Sequence, residues 1–180
     1  MSTGVPVKKK DWVYRFKCNL KSDIKGTFFD LNSGGGQNPA IHCWDDNSCT
    51  WNKNTHWHIY SHPNANDPRV LIKSDANSGF VFGEGHGQRL KCEQLDQWDE
   101  RCHWYFEGGD VQNVADYTSV RLEVHCGTRK ITANRDSRFR SFKHPTTYID
   151  LEGGSNKNGT PFIAWAGHGG PNQAFHIIKR

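Results

Sequence analysis

Hydrophobic positions in this chain come in short bursts. Runs of three to seven residues at 13–17, 27–31, 40–44, 57–60, 70–73, 80–82, 89–93, 104–107, 120–126, 148–151, 161–165 and 175–178 are separated by Gly, Pro, Asn, Asp and Ser. Several alternate in polarity, as in Val70 and Ile72, Leu122 and Val124, or Ile149 and Leu151. Alternation with a period of two suits strands with one buried face, and no stretch sustains the 3.6-residue period of a helix. Twelve short strands with turn signals between them predict an all-β barrel or sandwich. The chain has 180 residues, a length that suits one domain.

Self-similarity sharpens the prediction. Three stretches close alike: Asn54-Thr55-His56-Trp57-His58-Ile59, Arg101-Cys102-His103-Trp104-Tyr105-Phe106 and Asn172-Gln173-Ala174-Phe175-His176-Ile177. Their aromatic anchors Trp57, Trp104 and Phe175 are 47 and 71 positions apart. The first and third stretches also match upstream. Phe29-Asp30-Leu31 leads through a Gly/Asn-rich turn to Ile41-His42-Cys43-Trp44, and Ile149-Asp150-Leu151 leads through another to Ile163-Ala164-Trp165. Asp and Trp are 14 residues apart in one and 15 in the other. The chain therefore divides into a tail, 1–11, and one domain of three quasi-repeats at about 12–62, 67–109 and 117–180. Each repeat holds four strands and cannot bury its apolar face alone. The third is the longest, and the extra material, 127–145, reads as an insertion of basic character (Arg129, Lys130, Arg135, Arg138, Arg140, Lys143).

Composition adds a puzzle. Only 34% of residues are apolar and mean hydropathy is −0.82, yet there are 7 Trp, 5 Tyr and 10 Phe. Disordered chains are poor in aromatics, so the chain is folded. Trp57, Trp104 and Phe175 read as core anchors; Trp12, Trp51 and Trp98 receive no role. No run of 18 apolar residues exists, which argues against membrane insertion. A net charge of +4 is too small to point to nucleic acid. Lys8, Lys9 and Lys10 precede no apolar stretch of the kind a secretory leader needs, so a cytoplasmic protein is expected, with any release non-classical. None of the six Cys forms a C-x-x-C pair, and free thiols are expected. His56 and His58 share a strand face but lack further ligands, so neither a metal nor a cofactor is expected. A homodimer remains open.

The third repeat, "YIDLEGGSNKNGTPFIAWAGHGGPNQAFHII", resembles the repeat of ricin-type lectins, which closes in Q-x-W. The first repeat is a looser match, and the second keeps only its closing Trp104. The likeness runs from about Trp12 onward, with motifs over about a third of the chain. It implies a β-trefoil that binds glycans, those containing galactose or N-acetylgalactosamine being favoured, and a size class shared with intracellular fungal lectins. Departures from the pattern are plain: Thr55 and Cys102 replace the motif's Gln, Phe175 replaces its Trp, and Phe82 or Gly83 falls where the second repeat should carry Asp.

The chemistry suits a sugar. An ionised Asp accepts charge-assisted bonds from two vicinal hydroxyls, an amide both donates and accepts, and an aromatic ring covers a C–H face. In the third repeat the expected set is Asp150 as acceptor, Trp165 as platform and Asn172 as amide, with Ile163 contributing through its backbone and Gln173 bonding the turn. In the first it is Asp30, Trp44 and Asn54, with His42 adding a bond. The second site is expected to be inactive. No enzyme motif is present. The alternative is a β-trefoil protease inhibitor acting through the loop at 127–145; a repeated Asp/Trp/Asn set is chemistry that an inhibitor does not need.

Overall fold

A computed structural model describes residues 11–24, 27–37, 39–45, 51–107 and 137–180. Twelve strands run through it: β1 (Val13–Ser22), β2 (Phe28–Leu31), β3 (Ile41–Trp44), β4 (Trp57–Ser61), β5 (Arg69–Ser74), β6 (Phe80–Phe82), β7 (Lys91–Glu93), β8 (Trp104–Glu107), β9 (Arg138–Ser141), β10 (Thr147–Leu151), β11 (Phe162–Ala166) and β12 (Phe175–Lys179). Eleven coincide with the apolar runs of the sequence. The run at 120–126 lies outside the described residues.

Six strands close a barrel. β1 pairs with β4, β4 with β5, β5 with β8 and β8 with β9. β12 closes the ring by pairing with β1, and meets the start of β9 through the Ser137–Phe175 bridge. Closure leaves the barrel no open edge. The other six strands form hairpins, β2–β3, β6–β7 and β10–β11, that cap one end. Each hairpin touches the next through the bridges Ala40–Lys91, His42–Pro161 and Arg89–Ile163. This is a β-trefoil: three units, each of two barrel strands and one cap hairpin.

Trp57, Trp104 and Phe175 are fully buried. The indole N–H of Trp57 donates to the Phe29 carbonyl at 2.8 Å, and that of Trp104 to the Val81 carbonyl at 3.0 Å, one step along the same hairpin in each unit. Phe175 needs no acceptor and packs instead among Phe29, Phe139 and Phe162. Large rings filling the axis explain how so few aliphatics suffice. A second apolar cluster joins Trp12, Leu71, Phe82 and Cys102, with Tyr60, Phe80, Leu95 and Trp98 packed against it. Trp12 sits 5.1 Å from His62, 5.6 Å from Trp98 and 4.9 Å from His103, ring to ring. Two tryptophans without a sequence role thus seal the flank of the second unit. Trp51 is exposed, and nothing in the structure explains it.

The basic stretch reads differently in three dimensions. Arg138–Ser141, inside the stretch taken for an insert, is β9, the first barrel strand of the third unit. The long connection therefore precedes β9, and its residues 108–136 lie outside the described ones. Phe139 points into the core, while Arg138 and Arg140 flank it on the outer face. Arg140 lies over the Tyr105 ring at 4.4 Å and pairs with Glu107 at 2.6 Å. These charges serve a barrel wall, and the loop that an inhibitor would present is in part a paired strand. Cys18, Cys43, Cys92 and Cys102 are buried free thiols. Burial pushes Cys92 and Cys102 up to about 12, which keeps them protonated and unreactive.

Candidate functional site

Cross-strand register fixes what is equivalent to what. Asp30 faces His42, Phe82 faces Lys91 and Asp150 faces Ile163 in the three hairpins. Trp44 and Trp165 stand opposite Phe28 and Tyr148, where the second unit has Glu93 opposite Phe80. Each unit then adds a 3₁₀ turn before its last strand: Lys53–Thr55, Glu100–Cys102 and Pro171–Gln173.

In the third unit these pieces converge. Asp150 is 2% exposed, a carboxylate held almost wholly inside the protein. Burying such a charge demands strong partners. Oδ1 accepts from Asn172 Nδ2 at 2.9 Å. Oδ2 accepts from Gln173 Nε2 at 2.8 Å and from His168 Nε2 at 3.0 Å. His168 Nδ1 accepts the Gly170 N–H at 3.1 Å, so the ring proton sits on Nε2, facing the carboxylate. Gln173 also braces the loop. Its Oε1 accepts from the N–H groups of His168 and Gly169, and its amide donates to the Ala166 carbonyl. From the barrel, Arg138 donates to the Gly169 carbonyl.

Glycine makes this loop feasible. A Cβ on Gly167 would lie 2.4 Å from the Tyr148 ring, and one on Gly170 would lie 2.7 Å from the His168 ring. Tyr148, opposite Trp165, donates to Glu107 Oε2 at 3.2 Å. Burial and the adjacent Glu107 carboxylate both raise its phenol, which stays a donor. Trp165 is 40% exposed. The site is therefore a fixed carboxylate with a flat aromatic surface beside it, two strand positions apart on one face. The second Asp150 Oδ1 lone pair and the Asn172 carbonyl remain for hydroxyl groups, since among the described residues neither is otherwise engaged. Backbone alternation sends the Ile163 N–H and C=O toward β10, because Phe162 O and Ala164 N already bond the 88–90 segment. Ile163 thus offers the site its side chain and not its backbone.

The first unit is sparser. Asp30 accepts from His42 Nε2 at 2.8 Å, and His42 stacks on Trp44 at 5.5 Å and 28°. Trp44 is 42% exposed. Thr55, in the place of Gln173, turns inward and accepts from Asn19 at 3.0 Å. Asn54 leans on the turn at Gly34 and is not the partner of Asp30. Asp and the amide of the named set thus bond each other in the third unit, while a histidine bonds the Asp in the first. In the second unit Phe82 fills the carboxylate position, and Arg101 lies over its ring at 5.4 Å, held by Asp99. Apolar packing takes the place of a carboxylate there.

His168 and Tyr148 are site residues that sequence reading missed. The signal for His168 was the run Gly167-His168-Gly169-Gly170, one histidine set among glycines. His58 bonds Asp75 at 2.9 Å, with Lys17 on the other carboxylate oxygen at 2.9 Å.

No family model and no curated relative matches the chain. Solved structures do. A designed threefold-symmetric protein, ThreeFoil, superposes with TM-score 0.64 at 12% identity, over 90% of this chain and 97% of its own. A ricin B-like lectin of Macrolepiota procera in complex with lactose gives 0.61 at 18% identity, over 98% of this chain and all of its own. A mosquitocidal holotoxin gives 0.67 at 14% identity over 97% of this chain, which spans only 18% of that protein. At these identities the likeness is one of fold.

Proposed function

We propose that the chain is a non-enzymatic carbohydrate-binding protein, a lectin, whose principal site is in the third unit and whose second site is in the first. The observation that carries this reading is Asp150: a buried carboxylate oriented by three side-chain donors, beside the half-exposed ring of Trp165. A carboxylate pre-aimed in this way accepts from vicinal hydroxyls without reorganising, and the indole covers the sugar's C–H face. Galactose, with its axial 4-hydroxyl, shows one continuous C–H face and two hydroxyls on the opposite edge. That shape fits the pair, and the lactose complex of a structurally similar lectin supports galactose-type glycans as the ligand class. Two shallow sites each bind weakly and gain by acting together on clustered glycans.

A glycan array with the intact protein, followed by calorimetry with lactose, tests the reading. Binding to galactose-terminated glycans is expected. Trp165→Ala should remove the third site while keeping the fold, because the ring is partly in solvent. Asp150→Asn should weaken binding at least tenfold, the scale of one lost charge-assisted bond. A silent array, or full lactose affinity in both variants, overturns the reading.

A further inference from the structure

The third-unit site has a neighbour on its far side. The turn between β6 and β7 runs alongside β11 as an added strand. Gly87 N–H donates to Ala164 O at 2.7 Å, Ala164 N–H to Gln88 O at 2.9 Å and Leu90 N–H to Phe162 O at 2.9 Å. β10 lies on one edge of β11 and this turn on the other. Two side chains follow from that placement. His86 stacks on Trp165, with centroids 4.2 Å apart and planes at 31°. Arg89 is in register with Ile163, which is in register with Asp150. Paired residues share a face, so Arg89, Ile163 and Asp150 form one row across three adjacent backbones, about 10 Å from end to end.

Several carboxylates near this row are already paired. Glu84 is approached by Lys91 at 3.5 Å and Arg101 at 3.9 Å. Glu107 pairs with Arg140, and Asp150 is held by its three donors. Arg89 is exposed and has no counter-ion among the described residues. The first unit offers an internal comparison. There the neighbouring turn places Pro161 and not an arginine opposite His42, and Asn158 bonds Asp45; the cations nearby are Lys157 of the same turn and Lys21, which lies over Phe28 at 5.8 Å.

We propose that the second unit's turn completes the third-unit site as an outer subsite for an anionic group, a sulfate or a sugar carboxylate, carried next to the terminal sugar of a glycan. The proposal rests on the sugar-binding reading of Asp150 and Trp165. His86 backs the indole from the second unit's side and holds its other face toward the sugar. Arg89 supplies two parallel N–H donors to the anion. The second unit, which has no carboxylate of its own for a sugar, thereby acts on its neighbour's ligand.

Calorimetry on a Trp44→Ala background, which silences the first site, tests this with lactose, sulfated lactose and sialyllactose. At least one anionic probe should bind about fivefold more tightly than lactose at low salt, the scale of an exposed ion pair. The preference should vanish in high salt and in Arg89→Gln, while lactose affinity stays. His86→Ala should weaken all three ligands and His86→Phe should restore them, since a ring and not a charge backs Trp165. Preference for only one of the two anions identifies the group. Equal affinity for all three probes, or an Arg89→Gln protein that keeps the preference, overturns the subsite alone. Failure to bind lactose at all overturns the sugar reading instead.

Discussion

At the scale of single residues, buried carboxylates decide most of what is specific here. Asp150 is fixed inside the protein by Asn172, Gln173 and His168, which all donate to it. Asp75 is the structural counterpart on the barrel wall. Burial disfavours its charge, but Lys17 and His58 prevail and lower it to about 2. Arg101 lowers Asp99 to about 2 in the same way, against a small burial cost. A carboxyl with a folded pKa below its unfolded value near 3.9 stabilises the fold above that value, and the contribution disappears as pH falls through about 2. Thermal melts should therefore show Tm falling between pH 5 and pH 2.5, and falling less in Asp75→Asn. An Asp75→Asn protein with an unchanged acid slope would show that the Lys17–Asp75–His58 group contributes nothing.

At the scale of elements, the Gly167–Gln173 segment links stability to binding. Gln173 is completely buried and reaches Asp150, the Ala166 carbonyl and two loop N–H groups together. Removing it takes one of two donors from the buried Asp150 Oδ2 and leaves the loop's backbone groups unpaired, at about 1–3 kcal/mol for each unsatisfied group. Gln173→Ala should lower unfolding free energy by roughly 2–4 kcal/mol in urea titrations. Lactose affinity should fall as well, although Gln173 lies beneath the proposed site. Retained affinity with reduced stability would separate the two roles. β9 teaches a related lesson. Its only core residue is Phe139, set between two arginines, so its pattern reads as a charged loop. Arg140 on Tyr105 and Glu107 shows how such charges clothe a strand's outer face.

At the scale of the whole molecule, threefold architecture places the two proposed sugar sites in one domain and gives the second unit's counterpart over to packing. Lactose titration should report two sites, and Trp44→Ala or Trp165→Ala should each leave one. Agglutination of galactose-bearing cells should be lost in either variant, because bridging needs both sites and avidity exceeds single-site affinity by about 10²–10⁴. Full agglutination by a one-site protein would place the bridging elsewhere.

Sequence by itself determined the all-β class, eleven of the twelve strands and the threefold count, and it named Asp150, Trp165 and Asn172, which the fold brings near one another. These are local or periodic properties: strand alternation, turn residues and a motif repeated at fixed spacing. It also named Phe82 or Gly83 as the second unit's break, and register settled on Phe82. Tertiary structure alone decided the rest. His168 reaches Asp150 only because glycines fold its loop back, and Asn54 leaves Asp30 because Thr55 turns toward Asn19. His86 meets Trp165 only because one unit's turn pairs with the next unit's hairpin. The tryptophan excess divides on the same ground. Trp57 and Trp104 could be placed from the repeat, whereas Trp12 and Trp98 found their cluster only when strands far apart in sequence closed the barrel. Contacts between distant segments leave no period in a single chain, and barrel closure is what brings them together.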